Sequence, residues 1–142
     1  MEVGTGLRTI ASDRPATETV ERLESAIVEA GFAVFARVDH AGKAAEVGLR
    51  LPPTVLLMFG NPRVGTLLMQ DRRSSAIDLP TKVLVWEDED GKAWLTYNDP
   101  AWIAERHGLR TANKDTGKAI AGMEANIAAI VHQAGGESAP AD

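Results

Sequence analysis

Three groups of residues have types and spacing suited to chemistry. Asp39-His40 ends one apolar run and opens a short polar segment. An imidazole at such a corner can serve as a general base or metal ligand. Equally, Asp39 can cap the helix that follows and leave His40 to bond nearby backbone. Gly60-Asn61-Pro62-Arg63-Val64-Gly65-Thr66 is a strand-to-helix corner whose free N–H groups can receive an anion, with Arg63 and Thr66 close by. It lacks the Lys-Ser/Thr ending of a P-loop and the three-glycine spacing of a dinucleotide site, and most such corners are only caps. The third group is Asp78, Tyr97, Asn98, Asp99 and His107. Convergence of His40, His107 and one of these carboxylates would make a two-histidine, one-carboxylate metal site. No HExxH-type pair supports it, so no metal and no cofactor are expected.

Nucleophilic catalysis finds little to work with. The chain has no cysteine, and none of Ser12, Ser25, Ser74, Ser75 and Ser138 lies in a Gly-x-Ser-x-Gly elbow. With three histidines in the whole sequence, an assembled triad is not expected. His132 falls on the last helix, on a solvent-facing or interface side. Trp86, Trp94 and Trp102 are three of only seven aromatic residues. Trp86 and Trp94 flank a turn closely enough to pair across strands, either as packing or as a patch for a partner subunit.

The elements that must position these residues are legible from periodicity and turn chemistry. Leu7–Ser12 reads as a strand, followed by a helix that starts near Pro15 and carries Val20, Leu23, Ile27 and Ala30 at helical spacing until Gly31 stops it. Phe32–Val38 reads as a strand with Phe32, Val34, Ala36 and Val38 on one face, and Ala41–Val47 as a short helix. Thr54–Phe59 has no polar alternation, which predicts a central strand covered on both faces. Asn61 and Pro62 start the next helix, and Arg72–Asp78 is a further helical turn. Lys82–Glu87 and Lys92–Tyr97 flank Asp88-Glu89-Asp90-Gly91, the clearest hairpin signal in the chain. Asp99-Pro100 begins a helix that stops at Gly108, and Thr116–Ala134 forms the last one.

Composition bounds the rest. A chain of 142 residues with 44% hydrophobic and 25% charged residues fits one globular domain, here 1–134, with the small polar residues 135–142 as a disordered tail. The net charge of −5 argues against nucleic acid or an anionic membrane as partner, since both need a cationic footprint. The longest apolar run, Val55 to Phe59, is far shorter than the roughly 20 residues of a membrane span. With no signal-like N-terminal segment, a cytoplasmic protein is expected. One hairpin and short connections predict an α+β two-layer sandwich, with one mixed, mainly antiparallel sheet and helices mainly on one face.

Four stretches in order carry a resemblance. They are Val34-Phe35-Ala36-Arg37-Val38-Asp39-His40, then Leu57-Met58-Phe59-Gly60-Asn61-Pro62, then Asp78-Leu79-Pro80 with Val83-Leu84-Val85-Trp86-Glu87, and Tyr97-Asn98-Asp99-Pro100 leading to His107-Gly108-Leu109. Residues 19–109 resemble the domain-of-unknown-function family 302, small bacterial and archaeal α/β proteins. Arg72-Arg73 stands where the family pattern has an Asn-Pro-like turn. The resemblance implies a compact fold similar to the TATA-binding-protein topology, a homodimer, and no established activity.

Two expectations follow. The first is a non-catalytic, homodimeric module that binds a small ligand or a protein, with Asp39, His40, Asn61, Arg63, Tyr97 and Asp99 around the ligand. The alternative is a hydrolase or isomerase acting on a small anion, with His40 as general base.

Overall fold

The computed structural model describes residues 5–136. Five strands and five α-helices follow one another in the predicted order: β1 (Leu7–Ala11), α1 (Ala16–Glu29), β2 (Ala33–Asp39), α2 (His40–Glu46), β3 (Thr54–Gly60), α3 (Pro62–Asp71), β4 (Thr81–Glu87), β5 (Ala93–Asn98), α4 (Pro100–His107) and α5 (Lys114–Gly135). A 3-10 helix, Arg73–Asp78, joins α3 to β4. The fold is the expected α+β sandwich, although its sheet, in the order β1-β5-β4-β3-β2, is antiparallel at every pairing rather than mixed.

Local chemistry sets the helix ends. Asp39, Asn61, Asp99 and Asn113 each accept a backbone N–H of the first turn they precede, and Pro62 and Pro100 occupy first positions that have no N–H to satisfy. Asn113 starts α5 two residues earlier than the apolar stripe alone suggests. The helix also continues to Gly135, one residue into the expected tail, while residues 137–142 lie outside the described part. Gly108 closes α4 in the left-handed conformation, φ 66°.

The helices α1 and α5 cover one sheet face. Val20, Leu23 and Ile27 of α1 and Ile127, Ile130 and Val131 of α5 pack on Leu57, Phe59, Val83, Val85 and Leu95. Met58, Leu56, Leu84, Trp86 and Trp94 occupy the alternate positions and are only half-buried. β3 is therefore covered on one face, not two: its uninterrupted apolar run reflects a second face that is apolar but has no helix layer of the α1–α5 kind over it. Trp86 and Trp94 stand directly opposite each other with ring centroids 6.3 Å apart. Asp88 anchors the hairpin by accepting the Trp94 indole N–H and the backbone N–H groups of Asp90 and Lys92. The Trp94 bond foremost, then that from Lys92, holds its carboxyl below the ordinary aspartate range.

β2 departs from simple alternation. Val34 pairs with Phe59 and Ala36 with the adjacent Met58, so Phe35 is the extra residue of a β-bulge. Val34 consequently faces the helix layer, whereas Ala36 and Val38 pair with Met58 and Leu56 on the other face. The four apolar residues expected on one face of β2 are divided between two.

Candidate functional site

A second, smaller core cluster comprises Leu68, Ala104, Leu109 and Ile120, with Leu79, Ala119 and Met123 packed against it. Where this cluster meets the main core, the two leave a cavity of about 340 Å³ unfilled. Phe32, Phe59 and Ile127 line it from the main core; Leu79, Ala119 and Met123 line it from the second. The volume lies at the lower end of the roughly 300–1,000 Å³ typical of small-molecule sites.

Each wall has a local origin. The bulge in β2 turns Phe35, half of whose surface is exposed, onto the cavity rim. The corner Gly60-Asn61-Pro62 closes one end, and α3 contributes Gly65, Thr66 and Met69 at one-turn spacing. Lys118, Gly122, Met123 and Asn126 form the facing stripe of α5. Glycines on both helices remove the side chains that would otherwise close the gap: a Cβ on Gly122 would meet no atom within 4 Å. The 3-10 helix and the following residues supply Ala76, Leu79 and Pro80 as the last wall.

The lining is mostly apolar, with a few polar groups. Asn61 spends its side-chain oxygen on the Arg63 N–H, 2.9 Å away. Thr66, Lys118 and Asn126 have no hydrogen-bond partner among the described residues. Among the described residues Lys118 is the single ionisable side chain on the lining, and no described carboxylate shares it.

Behind the 3-10 wall lies a polar clamp that joins Asp78 and His107, two members of the third group, to Ser74, which the sequence did not place with them. His107 Nε2 is 2.6 Å from Asp78 Oδ2, and Ser74 Oγ is 2.9 Å from His107 Nδ1. Arg106 Nη1 reaches both Asp78 oxygens, at 3.0 and 3.1 Å. Three residue types of a catalytic triad thus do converge, contrary to the expectation from composition. The geometry nevertheless suits anchoring: both ring nitrogens are engaged, the His107 side chain is 7% exposed, and none of the three lines the cavity. The result is to tie the 3-10 helix to the end of α4. Asp71 adds a second tie by accepting the Arg110 N–H at 2.7 Å.

The six residues expected around a ligand do not gather. Asp39 lies opposite Val55 at the start of β3, whereas Asn61 follows its end. The two corners are therefore separated by the length of a strand, about 20 Å. His40 is exposed at the first position of α2 and does not line the cavity. Tyr97 is buried in the main core, and Asp99 caps α4 while bonding Arg8 Nε at 3.1 Å. Arg63 is exposed beside the cavity without lining it. Asn61 alone of the six reaches it. Among the described residues no three His, Asp or Glu side chains are grouped to hold a metal ion.

One further carboxylate is electrostatically unusual. Burial, and then the neighbouring charge of Asp99, push the Glu124 carboxyl above its ordinary range; Arg8 opposes them, and the hydrogen bond that protonated Glu124 donates to Asp99 adds to the rise. Arg8, Asp99 and Glu124 thereby link β1, the start of α4 and α5.

Comparison with known proteins places this geometry. A segment of the chain is 52% identical over 107 residues to the fluoride-specific ion channel FluC 1 of Brucella suis, covering 75% of this chain and 42% of that protein. FluC 1 of Brucella abortus matches at the same identity, with 40% of its length covered. The chain thus spans about two-fifths of the length of these relatives. The uncharacterized conserved protein DUF302 from Bacillus stearothermophilus has the same fold, with a TM-score of 0.77 over 92% of this chain and 99% of that one, at 22% identity. The DUF302 family model, described as a domain of unknown function, matches residues 8–127, and the chain belongs to that family.

Proposed function

We propose that this protein is a non-catalytic ligand-binding module whose site is the cavity between α3, α5 and the sheet corner. The observation that carries the reading is a concave, mostly apolar space with a few unpartnered polar groups on its wall. Native mass spectrometry of protein purified without added ligand tests it. A reproducible extra mass that disappears in Gly122→Leu supports the site; an adduct that survives this substitution places the ligand elsewhere. His40 as general base has less support, since His40 stands away from the cavity and has no hydrogen-bond partner among the described residues.

The Brucella relatives suggest a setting. No helix among the described residues is long and apolar enough to cross a membrane. We propose that the matched segment is a domain appended to the channel in those relatives, where occupancy of its cavity would bear on the channel.

The homodimer has its own support in the uncovered sheet face. Trp86 donates its indole N–H to Thr96 Oγ1 at 2.9 Å and Trp94 donates to Asp88 at 2.8 Å. Both donors are satisfied, so covering these rings with a second copy strands no polar group. Light scattering checks this: a dimer converted to monomer by Leu84→Glu supports the surface, and a monomeric wild type counts against it.

A further inference from the structure

Resting on the ligand-binding reading above, we infer that the cavity takes a compact apolar molecule carrying one anionic group, such as a medium-chain or aryl carboxylate. Lys118 projects from α5 as the single ionisable side chain on the lining among the described residues. It forms no ion pair or hydrogen bond with any described residue, and no carboxylate on the lining competes for it. Asn126, two turns along the same stripe, and Thr66 on the opposite wall add hydrogen-bond donors elsewhere on the lining. Apart from Asn61 and Thr81, the remaining side chains are aromatic or aliphatic, with Phe32, Phe59, Met69 and Met123 presenting polarizable, adaptable contacts to an apolar body.

Charge discriminates between ligand classes here. A cationic ligand would place its charge against Lys118 with no compensating carboxylate, which disfavours it. A neutral apolar ligand would gain burial but leave Lys118 and the other polar groups of the lining without new partners. A ligand with one anionic head and an apolar body satisfies both halves of the lining. The volume, about 340 Å³, suits a small molecule.

The test is calorimetric titration of the full chain with octanoate and 4-phenylbutyrate, each beside its matching alcohol, 1-octanol and 4-phenyl-1-butanol. The expected result is tighter binding of the acids by roughly fivefold, as for a partly exposed charge-assisted contact. Lys118→Met should erase that difference and Lys118→Arg should retain it. Equal binding of acids and alcohols, or acids unaffected by Lys118→Met, overturns the anionic assignment while leaving the cavity in place. Gly122→Leu should abolish binding of both series; if it fails to fold by circular dichroism, Gly65→Leu blocks the site from the opposite wall. Binding that persists in a folded blocked variant, or no binding of either series to wild type, overturns the cavity reading and this inference together.

Discussion

His107 Nε2 lies 2.6 Å from Asp78 Oδ2, and both side chains are almost fully withdrawn from solvent. The Nε2–H donates to the carboxylate, which Arg106 also supports from the solvent side. Replacing Asp78 with Asn would leave a buried imidazole facing a weaker acceptor. We expect Asp78→Asn and His107→Ala each to cost on the order of 2–4 kcal/mol in urea unfolding. Ser74→Ala should cost less, about 1 kcal/mol, since its hydroxyl is exposed and water can replace it.

Gly122 sits in the interior of α5 and opens onto the cavity. Alanine there removes the entropic cost of a mid-helix glycine without meeting any atom. Gly122→Ala should raise stability by roughly 0.5–1 kcal/mol, read as an increased melting temperature. A loss of stability would mean that the cavity wall is closer than described.

Glu124 gives a pH signature. Its carboxyl is raised in the folded state, so the folded protein favours the protonated form. Its contribution to stability is fully present below the unfolded glutamate range and is lost as pH rises through the folded value. Glu124→Gln should therefore stabilise the protein at neutral pH, and the advantage should shrink on acidification. Melting curves of both proteins across the acidic to neutral range check the sign.

Gly6 adopts φ 75°, and a Cβ there would run into the indole ring of Trp102. Gly6→Ala combines left-handed strain with overpacking, so a loss on the order of 2–4 kcal/mol is expected. Trp102 also carries Arg106 over its ring, 5.4 Å from the centroid. The variant should thus change tryptophan fluorescence as well as the unfolding midpoint.

The parts of the fold that depend on near neighbours were legible in the sequence. Asp39, Asn61 and Asp99 cap as expected, and Trp86 meets Trp94 across the hairpin, because each signal acts within a few residues. The site was not. Asp39-His40 and Asn61 both follow strands, but β2 and β3 are antiparallel, so their C-terminal ends lie at opposite ends of the paired strands. The cavity needs Gly65 and Gly122 to be brought together from distant helices, and a bulge to aim Phe35 at it. Glycines inside helical patterns were the available hint, since such positions carry a helix penalty that packing or function must justify. The Ser74–His107–Asp78 clamp joins residues up to 33 positions apart, and no spacing rule brings them together.

The edge strand β1 pairs with β5, Leu7 with Asn98 and Ala11 with Trp94. The earliest-synthesised strand of the sheet therefore waits for the latest, and must stay unpaired on the nascent chain while β2, β3 and β4 are made. Closing a loop of about ninety residues is entropically costly and comes after the local hairpins have formed. β1 should consequently add late to a preassembled β2–β5 sheet. Ile10→Val, which trims its buried side chain, should then speed unfolding while leaving the refolding rate nearly unchanged.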